Sequence, residues 1–244
     1  MSWRTLSFFG FLVLLWGSLA FVTMQRNKAI KINELAFHIS PKSDGFLTQE
    51  IVNKLLIQSE DSLFTRQKDM VDLNKIEMFL RNNKVIRNAE IYGSPQGKLH
   101  VRVQERQALL RVYGKEEYYL DATAVRFPLS KIFTPEVPLF FGSPNKKKQE
   151  QLIDLVAYFN ADKILGKELV HLRMEEQNVV LGLRSFSFDV VWGAFSQNTT
   201  KLEKLKRFCA YMQAHPDKSI DRIDLRFDRQ VVAQHNEEIW KNKK

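Results

Sequence analysis

Val85-Ile86-Arg87-Asn88-Ala89-Glu90-Ile91, followed closely by Lys98-Leu99-His100-Val101-Arg102-Val103-Gln104-Glu105-Arg106, is the stretch that decides the fold. Leu99, Val101 and Val103 alternate with His100, Arg102 and Gln104, which predicts a strand with one buried and one solvated face. Gly93-Ser94-Pro95-Gln96-Gly97 supplies turn chemistry, so Val85–Tyr92 and the second run read as a hairpin. Working back, Asp72 is an N-cap for a helix whose apolar face is Leu73, Ile76, Phe79 and Leu80. Thr48 caps an earlier helix with Ile51, Val52, Leu55 and Leu56. Ile30, Ile32, Leu35, Phe37 and Ile39 give a first strand, ended by Pro41-Lys42-Ser43-Asp44-Gly45. The order is strand, helix, helix, strand, strand.

Upstream, Leu6–Val22 is a run of 17 residues without a charge, at the lower limit for crossing the hydrocarbon core. The competing reading is a cleaved secretory signal, with Met1-Ser2-Trp3-Arg4 as its positive region and Ser18-Leu19-Ala20 as its cleavage pattern. The run exceeds the usual apolar core of a signal, which favours an anchor. Both readings place the body outside the cytoplasm. Arg26, Lys28 and Lys31 follow the run and Arg4 precedes it, but long domains translocate largely regardless of such counts.

The chain carries a formal net charge of +9, with 44% apolar and 27% charged residues, the composition of a globular body. The only dense basic run, Lys146-Lys147-Lys148, opens a predicted helix and brings no aromatic partners, so nucleic-acid binding is not expected. The single cysteine, Cys209, makes no internal disulfide and falls on an apolar helical stripe. The five histidines are scattered and no phosphate loop, zinc-protease or nucleophile-elbow motif is present. No catalytic, cofactor-binding or metal-binding residue is therefore assigned.

Past Arg106, Tyr118–Pro128 reads as a turn between short strands, with Asp121 forming an Asx-turn. A helix is predicted from Lys146, with Leu152, Leu155, Val156 and Phe159 on its core face. Strands follow at Val170–Met174, Val179–Leu183 and Phe188–Trp192. A helix from about Thr199 presents Leu202, Leu205, Phe208, Cys209 and Met212, with Pro216 just beyond its end. The alternation of Ile220–Phe227 predicts a strand with Ile223, Leu225 and Phe227 on one face, and Val231-Val232-Ala233 one more.

These motifs carry a resemblance. Strand-helix-helix-strand-strand is POTRA topology, and the hairpin resembles that of the FtsQ/DivIB family of bacterial division proteins. That family's pattern is V-x-x-A-x-V, a proline-containing turn, then L-x-V-x-V-x-E-R. Val85, Ala89, Ile91, Pro95, Leu99, Val101, Val103, Glu105 and Arg106 match it, and Gln107-Ala108 stands where the family has Pro-Ala. Asp121 and Phe127 fit its "lD-x-x-G-x-x-F", with Ala124 in the glycine position. Lys201-Leu202-Glu203-Lys204-Leu205 is similar to its "eKl..l", Asp224-Leu225-Arg226-Phe227 to its "VDLRY", and Gln230-Val231-Val232 to its next strand.

The resemblance implies an α+β chain: an N-terminal transmembrane helix, a POTRA-like β-α-α-β-β module, and a mixed β-sheet domain with two helices. The corresponding boundaries are 1–5 for a short cytoplasmic tail, 6–23 for the membrane helix, 24–106 for the POTRA-like domain, 107–235 for the β domain and 236–244 for a tail. It also implies a non-catalytic scaffold of the divisome, N-terminus inside, single-pass in the inner membrane, with FtsB- and FtsL-like division proteins as partners. Docking would fall on Val231, Val232 and Ala233 as a free sheet edge, flanked by Asp224, Arg226, Phe227 and Arg229. The alternative is a POTRA-containing envelope protein for outer-membrane protein assembly or secretion, which would call for several POTRA modules and a barrel. A secreted wall-modifying enzyme lacks a recognisable nucleophile or carboxylate pair.

Overall fold

The computed structural model describes residues 3–28, 34–40, 45–59, 72–94 and 96–235. The expected strand residues Ile30 and Ile32, the turn Pro41–Asp44, Pro95 and the tail 236–244 lie outside them. The chain divides into two compact units, Met1–Arg106 and Gln107–Lys244.

Unit one opens with α1, Trp3–Lys28. Along it Phe11, Val13, Leu14, Trp16, Leu19, Phe21 and Val22 are all exposed. Ser18 Oγ donates back to Leu15 O at 2.9 Å, and Thr23 Oγ1 to Leu19 O at 2.8 Å, so these hydroxyls are satisfied within the helix. Among the described residues no helix is long and apolar enough to cross a membrane; the side chains described in α1 are those of 10–24 only.

The rest of unit one is a three-stranded sheet with two helices on one face. Its elements are β1 (Glu34–Ile39), α2 (Gln49–Ser59), α3 (Leu73–Arg81), β2 (Ile86–Gly93) and β3 (Lys98–Glu105). The strand order is β1-β3-β2, with β1 parallel and β2 antiparallel to the central β3. Thr48 Oγ1 accepts from Ile51 N at 3.3 Å and Asp72 Oδ1 from Lys75 N at 3.1 Å, so both helices start where side-chain oxygens meet unpaired N–H groups. Val52, Leu56, Ile76 and Leu80 pack on Leu99, Val101 and Val103. A full burial of each contributes about 1.5–3 kcal/mol. A register shift between Ile86 and Asn88 puts Ile86, Ala89 and Ile91 on the core side. The bulge makes Ile86, rather than Val85, the fully buried residue at the strand entrance.

Unit two is built on β4 (Leu110–Tyr113), β5 (Tyr118–Leu120), β6 (Arg126–Phe127), β7 (Leu139–Phe141), α4 (Lys146–Ala161), β8 (Leu169–Glu175), β9 (Asn178–Leu183), β10 (Asp189–Gly193), α5 (Asn198–Ala214), β11 (Arg222–Asp224) and β12 (Val232–Gln234). They form one nine-stranded mixed sheet in the order β12-β11-β10-β9-β8-β7-β4-β5-β6. The parallel pairs β7/β8 and β10/β11 are each joined through a helix, as a crossover between parallel strands requires. The core stripes of α4 and α5 bury Leu152, Leu155, Val156, Phe159, Leu202, Leu205 and Cys209 on the sheet. Trp192 lies in its middle, 5.6 Å from the Phe159 ring, and donates its indole N–H to Asn198 Oδ1 at 3.1 Å. A buried indole N–H left unpaired would be costly, so this bond also fixes the start of α5.

Two local expectations change. The alternation at Ile220–Phe227 yields only the three-residue β11; Ile223 and Leu225 are buried, whereas Phe227 is 44% exposed. The last strand runs Val232–Gln234, one residue later than Val231–Ala233, and Val231 packs against the main core just before it.

Candidate partner-binding edge

Among the described residues strand β12 ends the nine-stranded sheet and pairs with β11 alone, in the register Arg222↔Gln234, Ile223↔Ala233 and Asp224↔Val232. A strand with one neighbour turns alternate N–H and C=O groups outward, where another chain can pair with them. Among the described residues no side chain hydrogen-bonds to the backbone of β12. The outer edge of β2 differs. There Glu77 Oε1 accepts from Ile91 N at 2.6 Å, and Arg81 donates to Ala89 O at 2.8 and 3.1 Å. Two α3 side chains thus occupy that edge and blunt it.

The seven residues singled out in the sequence divide by environment. Val232 and Ala233 lie in β12, Val231 anchors the approach to it on the core, and Phe227 and Arg229 are exposed in the connection before it. Asp224 and Arg226 are joined to one another: Arg226 Nε lies 3.0 Å from both carboxylate oxygens, Nη2 is at 2.6 Å, and the Arg226 backbone N–H donates to Oδ1 at 2.9 Å. Burial pushes the Asp224 carboxyl up, but hydrogen bonds and charge from Arg226 outweigh it, so the group lies below the usual carboxylate range. The charges expected to meet a partner are therefore largely spent on each other.

Residues not singled out surround the edge. Arg173, Glu175, Asp189 and Arg222 form an ion-pair chain across β8, β10 and β11, with Arg173 Nη2 2.5 Å from Asp189 Oδ2 and 2.9 Å from Glu175 Oε1, and Arg222 bound to Glu175. Hydrogen bonding from Arg222, and then from Arg173, more than offsets burial and lowers the Glu175 carboxyl. The signal for this row was present in the sequence as charges at alternate strand positions, but pairing between distant strands decides which ones meet. Two clefts, of about 480 and 210 Å³, open beside the row at the edge, and Arg222 and Gln234 line both. Lys204 and Lys201 of α5 were likewise missed: Lys201 is buried and donates to Ala194 O at 2.7 Å. Among the described residues no group of three or more His, Cys, Asp or Glu side chains is placed to hold a metal ion.

A three-stranded sheet backed by two helices, followed by a helix-crossed mixed sheet, defines a POTRA-like module with a β domain behind it, and residues 39–104 match the POTRA-like domain. Residues 107–234 match the family described as FtsQ/DivIB, C-terminal related, over more than half of the chain, and the protein belongs to that family. Among solved structures it is similar to the major extracytoplasmic domain of the trans isomer of the bacterial cell division protein DivIB from Geobacillus stearothermophilus, at 15% identity and a TM-score of 0.33, covering 47% of this chain and 98% of that one. No curated protein matches.

Proposed function

We propose that the protein is a non-catalytic scaffold of the bacterial division machinery, anchored in the inner membrane by α1 with its body in the periplasm, and that it captures a partner by strand addition at β12. The observation that carries this is the contrast between edges: β2 is closed by Glu77 and Arg81, while among the described residues the backbone of β12 has β11 alone beside it. Strand addition draws its affinity from main-chain hydrogen bonds and its selectivity from alternate side chains, and the clefts beside Arg222 and Gln234 offer places for those side chains. Family membership supports a division role, and the resemblance supports FtsB- and FtsL-like proteins as partners. Exposed apolar side chains along residues 10–24 of α1 support burial in lipid, since a segment that is apolar all round needs an apolar surrounding.

Crosslinking in cells, followed by capture of the full-length chain from solubilised membranes, tests the reading. Recovery of small coiled-coil membrane proteins supports it. Recovery of nascent barrel proteins instead would move the function to outer-membrane assembly.

A further inference from the structure

We infer that Lys204, on α5, is the positioning residue of the β12 edge: its ammonium clamps the β11–β12 connection and so pre-sets the strand that a partner would extend. The inference rests on the strand-addition reading above.

Lys204 Nζ donates to Phe227 O at 2.7 Å and Leu225 O at 3.0 Å, with Asp228 O at 3.5 Å. An ammonium has three N–H donors, and here they point at three carbonyls of one short connection. Among the described residues Lys204 forms no ion pair, unlike Lys206 two positions on, which is bound by Asp162 and Glu203. Lys204 is thus directed at the backbone of the connection.

The opposite side of the connection is fixed by β10. Leu225 N donates to Val191 O at 3.0 Å, one step beyond the last β10/β11 pair. Gly193 has φ +78, and a Cβ there would lie 2.6 Å from Arg226 Cγ. The glycine therefore makes room for the Arg226 stem, whose guanidinium returns to Asp224. Held from α5 on one side and β10 on the other, the chain reaches Val232 in a set direction. This matters because β12 has three residues and, among the described residues, one neighbour, too little to fix its own place. An edge that must be ordered during binding loses affinity to conformational entropy, and an edge already ordered does not.

The experiment uses the full-length chain with Lys204→Met, which keeps the stem and removes the donors, and Lys204→Arg, which keeps donors and charge. In the partner-free protein, Lys204→Met is expected to speed amide exchange at 225–235 by about tenfold, while α4 and β3 stay unchanged. Lys204→Arg should restore most of the protection. In cells, Ala233 is replaced by photoreactive benzoylphenylalanine. The yield of partner adduct should then fall several-fold with Lys204→Met at equal protein level, and recover with Lys204→Arg. Unchanged exchange at 225–235 overturns the clamp. Faster exchange with undiminished adduct makes Lys204 merely structural and also overturns it. Absence of any adduct with Lys204 intact sinks the strand-addition reading instead, with the exchange result still reporting on the clamp.

Discussion

Leu47 N lies 2.9 Å from Glu105 Oε2, a hydrogen bond that spans 58 residues. The other carboxylate oxygen accepts from Gly45 N at 2.8 Å. Glu105 is the last residue of β3 and 2% exposed, so it is a buried clasp between the end of the hairpin and the loop that starts α2.

Glu105→Ala should destabilise the first unit by about 3 kcal/mol, because the buried Leu47 N–H and the partly buried Gly45 N–H lose a charged acceptor. Glu105→Gln keeps one acceptor and should recover roughly half of that loss. Chemical denaturation followed by hydrogen exchange of β3 amides reads both values. A loss under about 0.5 kcal/mol for the alanine variant would mean the clasp contributes little.

Ala124 has φ 57, in the left-handed region, inside a turn closed by Asp121. The Asp121 carboxylate accepts from Thr123 N and Val125 N, both at 2.9 Å, and from Thr123 Oγ1 at 2.7 Å. A Cβ in this region costs about 1 kcal/mol. Ala124→Gly should therefore raise stability by up to about 1 kcal/mol, less the extra entropy of glycine in the unfolded chain. Thermal melting checks the sign, and a lower midpoint would show that the turn depends on the methyl group.

Burial pushes the Cys209 thiol up to about 12, with the Glu168 charge adding to it. The thiolate is then negligible at neutral pH, and the thiolate is the nucleophile. The native protein should resist a thiol-reactive dye and react fully once denatured. Rapid labelling under native conditions would contradict the buried placement.

Asp162 caps the end of α4, accepting from Ile164 N at 2.9 Å, Leu165 N at 3.0 Å and Lys206 Nζ at 2.9 Å. The Leu165 N–H, followed by Lys206, holds its carboxyl below the usual range. A lowered folded-state pKa contributes stability that is complete above the unfolded value, about 3.9, and is lost as pH falls through the folded value. The advantage of the parent over Asp162→Asn should therefore shrink as denaturation is measured from pH 6 down to pH 2. A constant difference would show that the charge is not what Asp162 contributes.

Much of the first unit was legible because its signals are local. Asp72 caps α3 as expected, and Leu99, Val101 and Val103 fill the core face of β3. In the second unit α4 and α5 followed from apolar residues at helical spacing, and β9 and β10 pair antiparallel as neighbouring runs should. The parallel neighbours of β7 escaped, since Leu139–Phe141 is a three-residue strand among prolines and its partners β4 and β8 lie far along the chain. The end of β11 escaped for a related reason. Ile223 and Leu225 alternate like a longer strand, but the chain is turned after Leu225 by the Asp224–Arg226 pair and by Lys204, a contact 21 residues away from Leu225.

Proline substitution at Val232 and Ala233 tests whether the outer side of β12 takes a partner strand. Neighbouring N–H groups point to opposite sides of a strand, so one of these positions serves β11 and the other the open edge. Co-purification of the proposed FtsB-like partner with the full-length chain is measured for both variants, alongside exchange protection of β10 and β11. The variant at the outward position should lose the partner with β10 and β11 still protected. Partner retention at the parental level in both variants, each folded, would contradict it.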